Sequence, residues 1–232
     1  MRTVPMLKSV LALSLAALTA ATALGGAATA QAATARRPVV FVHGLSGGPN
    51  LVFGDMLNRF RAAGYTDAEL DLWSYNWKQP NVVTARELAA EVDRVRSRTG
   101  WQTVDVVSHS MGSISSRHYL KEHGGAARVT HWVSIAGANH GASVAKLCTV
   151  IWDSCKDMKA DSDILKKLNT GDETPGATKY LTLAADKCDV MVHISSVHLE
   201  GADNQVVPGC YEHISMPKSE KVYAPIKAFL AR

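Results

Sequence analysis

The chain lacks the sequence features that mark several classes of protein. After its first thirty or so residues it has no apolar run long enough to cross a bilayer, and no cluster of basic residues of the kind that binds nucleic acid. It has no G-x-x-x-x-G-K-[ST] or G-x-G-x-x-G loop to bind phosphates, and no C-x-x-C pair typical of a zinc knuckle. These absences argue against nucleic-acid, nucleotide and zinc binding.

The N-terminal residues have the pattern of a secretory signal peptide. Arg2 and Lys8 provide a positive start, an apolar run rich in Leu and Ala extends from Val10 to Leu24, and Ala30-Gln31-Ala32 offers a small-x-small cleavage site. A retained membrane anchor is the less favoured alternative. We therefore predict that residues 1–32 are a signal peptide that is removed, and that the protein is secreted and extracellular.

The rest of the chain has the size of one domain. Removing 32 of the 232 residues leaves 200, which can bury a sizeable core. We assign residues 33–37 to a linker and residues 38–232 to a single folded domain. The formal net charge of +4 falls by two, to +2, with the loss of Arg2 and Lys8, which again gives no indication of a nucleic-acid partner.

Four cysteines in an exported chain favour two disulfides over a zinc site. Cys148 and Cys155 lie seven residues apart, and Cys188 and Cys210 lie twenty-two apart. We predict the pairs Cys148–Cys155 and Cys188–Cys210, although the spacing alone leaves other pairings open.

The stretch from Val104 to Gly112 predicts a buried strand that runs into a tight turn with Ser110 at its tip. Small residues, Ser108 and Gly112, lie two positions before and two after the serine. A nucleophile elbow requires this pattern because these positions nearly touch across a strained turn. Ser108 replaces the first glycine of G-x-S-x-G, so the motif is a variant, and a serine-rich turn without chemical function is the competing interpretation.

Patterns typical of strands and helices alternate along the chain. The predicted strands cover residues 39–42, 70–75, 103–107, 129–135, 180–184 and 204–207. The predicted helices cover residues 50–63, a segment from a Thr84–Glu87 capping box to Gly100, and residues 113–123, 162–168 and 219–230. We expect Pro225 in or near the first turn of the last helix, or a kink there. This alternation predicts a mostly parallel, doubly wound α/β sheet that binds ligands beyond the carboxyl ends of its strands.

A serine nucleophile needs a base, and the base needs a carboxylate to orient it. In this fold class the chain order is Ser, then Asp or Glu, then His. Of nine histidines, His213 lies between the last predicted strand and the last helix. His193 and His198 come too early, His140 lies in a loop that can line the cleft, and His109 is expected to point away from the serine.

The carboxylate that fits this order best is Asp189. It follows the strand predicted over 180–184 by a short loop and leaves 24 residues before His213, enough for one more strand. Asp186, two residues past that strand, is the alternative, whereas Asp203 precedes the last strand and should lie at the wrong end of the sheet. The second predicted disulfide would hold the acid and histidine loops in register.

Two backbone N–H groups are needed to stabilise the oxyanion of an acyl transfer. Met111, directly after the nucleophile, provides one at the start of a helix, whose dipole also favours negative charge. We assign the other to Leu45, in the loop His43-Gly44-Leu45 after the first strand. A plain glycine turn is the competing interpretation of that loop.

Several motifs together resemble one family. They are Val40 to Gly44, Ser108 to Gly112, Cys188-Asp189, Leu199 to Ala202 and His213, with a cysteine pair and the stretches Asn139-His140-Gly141 and Gly171 to Gly176. Over essentially all of residues 38–231 the chain resembles the small secreted bacterial triacylglycerol lipases of the α/β-hydrolase superfamily, class 2-like, and most of all their actinobacterial members.

The resemblance implies the α/β-hydrolase fold and hydrolysis of carboxylic esters, typically acylglycerols, with no metal and no organic cofactor. It matches Ser110, Asp189 and His213 with the triad of the family, and Leu45 and Met111 with its oxyanion donors. We expect a monomer that acts on a lipid or ester substrate, with transient contact with a lipid–water interface. The alternatives are a secreted acyltransferase, a polyester or cutin hydrolase, and a binding protein on an inactive hydrolase scaffold.

One segment departs from the smallest lipases of this family, here called the minimal lipases. The segment that residues 141–177 form is longer in this chain than in those proteins. Leu147, Val150, Ile151 and Trp152 are apolar and lie on or inside the first predicted disulfide loop. They either form a small lid or acyl-facing rim, or simply pack onto the body of the domain.

Overall fold

Six parallel strands form one sheet in the order β2-β1-β3-β4-β5-β6. In this computed structural model, which describes residue 1, residues 36–46 and residues 48–232, the strands are β1 (Val39–Val42), β2 (Leu70–Trp73), β3 (Val104–His109), β4 (Val129–Ile135), β5 (Lys179–Lys187) and β6 (Asp203–Cys210). The predicted α/β fold is therefore confirmed. The predicted signal peptide lies, apart from Met1, outside the described residues.

Helices connect the strands and cover both faces of the sheet. They are α1 (Gly48–Ala62), α2 (Asn81–Thr99), α3 (Gly112–Glu122), α4 (Ala145–Cys148), α5 (Asp153–Asp157), α6 (Asp163–Leu168), α7 (Ile194–Val197) and α8 (Glu220–Leu230), with short 3-10 helices at Gly125–Ala127 and His213–Lys218. None of these helices is long and apolar enough to span a membrane.

The continuous apolar run of β1 reflects a strand that is covered on both faces. All four of its residues are fully buried, and alternate side chains enter different clusters. Phe41 packs with Phe53 and Phe60 of α1, at ring-centroid distances of 5.2 and 5.5 Å, in one cluster. Val40 belongs to the other cluster, which contains Trp132 of β4. β1 and its neighbour β3 are thus interior strands of the sheet, and this two-sided burial fixes the position of the loops that follow them.

The start of α2 differs from the prediction. The helix begins at Asn81, so Thr84 is buried inside it and cannot act as its N-cap. Glu87 instead accepts a hydrogen bond from Gln79 Nε2 at 2.7 Å. The backbone N–H of Asn81 donates to Asp157 Oδ2 at 2.7 Å, so a side chain 76 residues away satisfies one of the free N–H groups of the helix start. A capping rule that uses only neighbouring residues cannot predict a contact between residues so far apart in the sequence.

The last two strands are longer than predicted, and β5 runs on to Lys187, where it pairs with Cys210 of β6. The final helix begins at Glu220 with Ser219 as its N-cap, which places Pro225 in the second turn and not the first. The other strands and helices end within about two residues of their predicted bounds, the usual uncertainty of element ends.

The segment 141–177 contains three short helices where the sequence predicted one. Besides α6, the helices α4 and α5 form on either side of a turn, and the Cys148–Cys155 disulfide joins them. Both cysteines are buried, which anchors this segment to the domain. Helices of four and five residues are too short to leave an amphipathic pattern in the sequence.

Candidate active site

Ser110 occupies the sharp turn between β3 and α3. Its φ is +56°, a left-handed conformation that non-glycine residues adopt rarely and that marks strained functional turns. Gly112 fits the turn because a Cβ atom there would overlap the carbonyl oxygens of Val42 and His43. Ser108, the variant position, is fully buried, and its hydroxyl donates to the Val133 carbonyl at 2.8 Å. A serine is tolerated there because its polar atom has a partner.

A chain of two short hydrogen bonds connects Ser110, His213 and Asp189. The Ser110 hydroxyl donates to His213 Nε2, with 2.7 Å between Oγ and Nε2. On the other side of the imidazole, Nδ1–H donates to Asp189 Oδ2 at 2.8 Å. All three side chains are almost fully buried. The structure thus brings together three residues that lie up to 103 positions apart in the sequence.

The second oxygen of Asp189 is held by the backbone of its own loop. Oδ1 accepts hydrogen bonds from the N–H groups of Met191 and Val192, at 2.9 and 3.0 Å. These two donors fix the rotation of the carboxylate, so that Oδ2 faces the imidazole. Such an arrangement keeps the carboxylate in place to orient a base.

The competing acids lie elsewhere. Asp186 is an exposed residue within β5, and Asp203 begins β6 at the opposite end of that strand from His213. Asp203 forms an ion pair with Arg232, with 3.6 Å between the charged atoms. Within the part of the chain that the structure describes, neither carboxylate forms a hydrogen bond or ion pair with His213.

The competing histidines have other partners. His140 Nε2 lies 2.9 Å from Glu173 Oε1, and the side chain of His193 caps the start of α7 by accepting from the Ser195 N–H. His198 follows that helix as its C-cap residue. His140, His193 and His198 are therefore not part of the hydrogen-bond chain that starts at Ser110.

His109 has a role that the sequence did not indicate. Its buried Nε2–H donates to the backbone carbonyl of His213 at 3.1 Å, and the two rings are 4.7 Å apart. Burial, with the nearby His213 as a second cause, holds the pKa of His109 well below its usual range, so the ring stays neutral. His109 thus supports the position of the His213 imidazole by a hydrogen bond to the backbone of His213.

The loop His43-Gly44-Leu45, here called the oxyanion loop, passes directly against the serine. A Cβ atom on Gly44 would lie 2.7 Å from Ser110 Cβ and 3.2 Å from its Oγ, so only glycine permits this approach. In the described part of the chain, the N–H groups of Leu45 and Met111 have no hydrogen-bond acceptor. Both are therefore free to bind a negatively charged oxygen.

Tyr75 is a second residue that the sequence did not reveal. Its hydroxyl donates a short hydrogen bond to the backbone carbonyl of His43, and its ring stacks on the His43 ring with 4.4 Å between centroids. Burial lowers the pKa of His43, which keeps that ring neutral as well. Tyr75 follows β2, so the neighbouring strand supplies a support for the oxyanion loop.

The second disulfide joins Cys188 to Cys210 and therefore links the end of β5 to the end of β6. Cys188 directly precedes Asp189 and has a φ of +73°, a strained conformation for a residue with a side chain. Cys210 lies three residues before His213. The cross-link thus fixes both loops that carry the partners of Ser110.

Exposed apolar residues lie on α4 and on the turn between α4 and α5. Leu147, Val150 and Ile151, here called the apolar tip, are 79, 93 and 62 % exposed. Trp152 is half-buried and packs edge-on against Trp77, with 4.9 Å between ring centroids. Of the two alternatives for these residues, packing onto the body therefore holds for Trp152 and is wrong for the other three.

A groove of about 740 Å³ borders the acid loop. Its lining includes Asp189 and Val190, the small residues Gly141 and Ala142, and charged side chains, namely Lys146, Lys159 and Asp161. A groove of this volume is within the range of small-molecule sites. Among the described residues, no three His, Cys, Asp or Glu side chains are grouped as the ligands of a metal ion would be.

The parallel six-stranded sheet flanked by helices is the α/β-hydrolase fold. The family model for Lipase (class 2) matches residues 36–221, and the chain therefore belongs to the class 2 lipases.

Solved structures with the same fold include other ester hydrolases. The mature lipase BlEst2 of Bacillus licheniformis is 23% identical, with a TM-score of 0.73 over 85% of this chain and 93% of that one. Lipase B of Aspergillus fumigatus is 15% identical, with a TM-score of 0.73 over 85% of this chain and 53% of that one. A metagenomic carboxyl esterase, MGS0156, is 17% identical, with a TM-score of 0.65 over 84% and 75%. At these identities the similarity shows the fold alone.

Removal of the second disulfide tests whether it keeps the site in register. In the variant with both Cys188→Ser and Cys210→Ser, we expect kcat for a soluble ester to fall on the order of 10- to 100-fold, because small misplacements of reacting groups are costly. The measurement is steady-state kinetics well below the melting temperature of each variant.

The matched control is the variant with Cys148→Ser and Cys155→Ser. By loop-closure entropy the two disulfides contribute stability of the same order, about 2.4 kcal/mol for Cys148–Cys155 and about 3.4 kcal/mol for Cys188–Cys210. The control should therefore lower the melting temperature by a comparable amount and leave kcat nearly unchanged. Equal losses of kcat in both variants, or none in either, would show that the second disulfide contributes stability alone.

Proposed function

We propose that this protein is a secreted triacylglycerol lipase or carboxylesterase of the actinobacterial type that works through an acyl-enzyme on Ser110. The observation that carries the proposal is the hydrogen-bond chain from the Ser110 hydroxyl through His213 to Asp189, with distances of 2.7 and 2.8 Å. Membership of the class 2 lipases supports ester hydrolysis as the reaction.

In the proposed first step, His213 Nε2 takes the proton of Ser110 as Oγ attacks the carbonyl carbon of an ester. Asp189 holds the imidazole in the Nδ1–H tautomer and stabilises the imidazolium that forms. The N–H groups of Leu45 and Met111 bind the negative oxygen of the tetrahedral intermediate. His213 then gives its proton to the leaving alcohol, and the acyl group stays on the serine.

In the second half, a water molecule takes the place of the alcohol. His213 removes its proton, the hydroxide attacks the acyl carbon, and the same two N–H groups bind the new oxyanion. The intermediate collapses, Ser110 recovers its proton and the carboxylic acid leaves. One oxyanion donor typically contributes about 100- to 1,000-fold to kcat, so the oxyanion loop makes a large contribution to the proposed rate.

Secretion is part of the proposal. The leader pattern of the first 32 residues supports export, and both cysteine pairs are joined as disulfides, a state that persists mainly in oxidising compartments. These observations favour action outside the cell.

The apolar tip supports an acylglycerol substrate presented at a lipid–water interface. Three large apolar side chains, close in sequence, are exposed to solvent, and full burial of such a side chain typically contributes about 1.5–3 kcal/mol. We propose that Leu147, Val150 and Ile151 insert into the interface while the active site takes up a lipid molecule.

Replacement of the nucleophile tests the mechanism. Ser110→Ala should lower kcat/KM by at least about 1,000-fold and leave the melting temperature within a few degrees, because the triad acts as a unit. A fluorophosphonate should label the wild type at Ser110 and leave the variant unlabelled. The control is Ser215→Ala, an exposed serine two residues past His213, which should behave as the wild type. Full esterase activity in the Ser110 variant would refute the assignment.

Replacement of the apolar tip tests the interface. In a variant with Leu147, Val150 and Ile151 all changed to Ser, activity on an emulsified long-chain triacylglycerol should fall about 10-fold or more. Activity on a soluble short-chain ester should stay within about 2-fold, since the tip contains none of the proposed triad residues or oxyanion donors.

The matched control compares the same substitution, Val to Ser, at a position in the tip and at an exposed position elsewhere. Val150→Ser should lower emulsion activity, whereas Val206→Ser, at an exposed position on the edge strand β6, should not. If the triple variant loses emulsion and soluble-ester activity to the same extent, the tip contributes to the acyl site and not to interface binding.

A further inference from the structure

The oxyanion loop has two consecutive backbone carbonyls that are each held by a side chain. His43 Nδ1 lies 2.9 Å from the Gly44 carbonyl oxygen, and because that oxygen can only accept, Nδ1 carries the proton. The carbonyl of His43 itself accepts from the Tyr75 hydroxyl. Two side-chain hydrogen bonds therefore hold the orientation of two successive peptide groups.

Peptide geometry carries this constraint to Leu45. The peptide group between Gly44 and Leu45 is planar and trans, so its C=O and its N–H point in opposite directions. Holding the Gly44 oxygen toward the His43 ring therefore holds the Leu45 N–H away from that ring. Glycine has no Cβ to resist rotation, so without an outside restraint this peptide group could flip.

The His43 ring is itself held firmly. It is 1 % exposed and stacks on Tyr75, whose ring stacks in turn on Trp73 with 4.5 Å between centroids. Its other nitrogen, Nε2, is buried and has no hydrogen-bond partner within the described residues. Among the described residues, the one polar contact of the ring is thus its hydrogen bond to the Gly44 carbonyl. Because buried polar groups are usually paired, this single hydrogen bond holds the ring in a specific orientation.

We propose that His43 is a positioning residue that keeps the Gly44–Leu45 peptide group in the orientation that offers the Leu45 N–H to the oxyanion, and that Tyr75 supports it. This inference rests on the proposed function, in which Leu45 is one of the two oxyanion donors. If the peptide group flipped, a carbonyl oxygen would replace the N–H donor, and transition-state binding would weaken.

Three substitutions of His43 separate hydrogen bonding from packing. His43→Phe keeps an aromatic ring for Tyr75 and removes the donor. His43→Asn removes the ring but places an amide N–H₂ near the position of Nδ1, since both are bonded to Cγ. His43→Gln moves its amide one carbon farther out.

We expect kcat for a soluble ester to fall about 10- to 100-fold in His43→Phe and His43→Gln, with KM within about 3-fold. His43→Asn should recover most of the loss in kcat. Affinity for a trifluoromethyl ketone, which forms a tetrahedral adduct with an oxyanion, should fall in parallel with kcat/KM across the series. A purely structural role would predict the reverse order, with His43→Phe closest to the wild type.

A second pair of variants keeps the aromatic ring and removes only a hydroxyl group. It provides a decisive test even if the His43 variants fold poorly. Tyr75→Phe removes the hydroxyl that holds the His43 carbonyl. Tyr180→Phe removes an equivalent hydroxyl, which donates to the Pro175 carbonyl at 2.9 Å on another part of the domain. Both should lower the melting temperature slightly, and only Tyr75→Phe should lower kcat, by about 5- to 10-fold.

Labelling by a fluorophosphonate separates failure of this inference from failure of the proposed function. If Ser110 is labelled in the wild type and His43→Phe keeps full kcat and full ketone affinity, the positioning role is wrong and the mechanism stands. Equal kcat in Tyr75→Phe and Tyr180→Phe would remove the role of Tyr75. If the wild type is not labelled at Ser110, the proposed function fails and this inference fails with it.

Discussion

The hydrogen bond between the Ser110 hydroxyl and His213 Nε2 is the contact on which the rest of the site depends. It spans 2.7 Å and joins the turn after β3 to the residue that begins the 3-10 helix after β6. These places meet because parallel strands all present their carboxyl ends at one edge of the sheet. In the sheet, β4 and β5 lie between β3 and β6. A shift of β4 or β5 would therefore change the distance between Ser110 Oγ and His213 Nε2.

Backbone strain is concentrated at the same edge. Among the described residues, the non-glycine residues with positive φ are Ser46, Ser110, Ala136 and Cys188, and they follow β1, β3, β4 and β5. Conformations of this kind cost about 1–3 kcal/mol each and persist only when the surroundings fix them. The buried core on both faces of the sheet provides this rigidity. Loops that start in strained conformations from rigid strands can aim an N–H or a carboxylate more accurately than relaxed loops can.

Much of this arrangement could be predicted from the sequence, because the signals were local. Apolar runs indicated the central strands, the spacing around Ser110 indicated the elbow, and chain order selected His213 and Asp189. The structure brings these three side chains together, while their chemical roles remain proposals. What the sequence did not predict depends on contacts between distant segments. The start of α2 follows from a contact with Asp157, and the supports from His109 and Tyr75 depend on the positions of neighbouring strands.

The central claim is that the oxygen of a tetrahedral intermediate on Ser110 meets two backbone donors while His213 remains within reach. A crystal structure of the protein after reaction with an alkyl phosphonate tests this most directly, because the adduct has the geometry of that intermediate. We expect phosphorus bonded to Ser110 Oγ and a phosphonyl oxygen about 2.7–3.1 Å from the N atoms of both Leu45 and Met111. An adduct on another residue, or one whose oxygen faces away from both amides, would contradict the account.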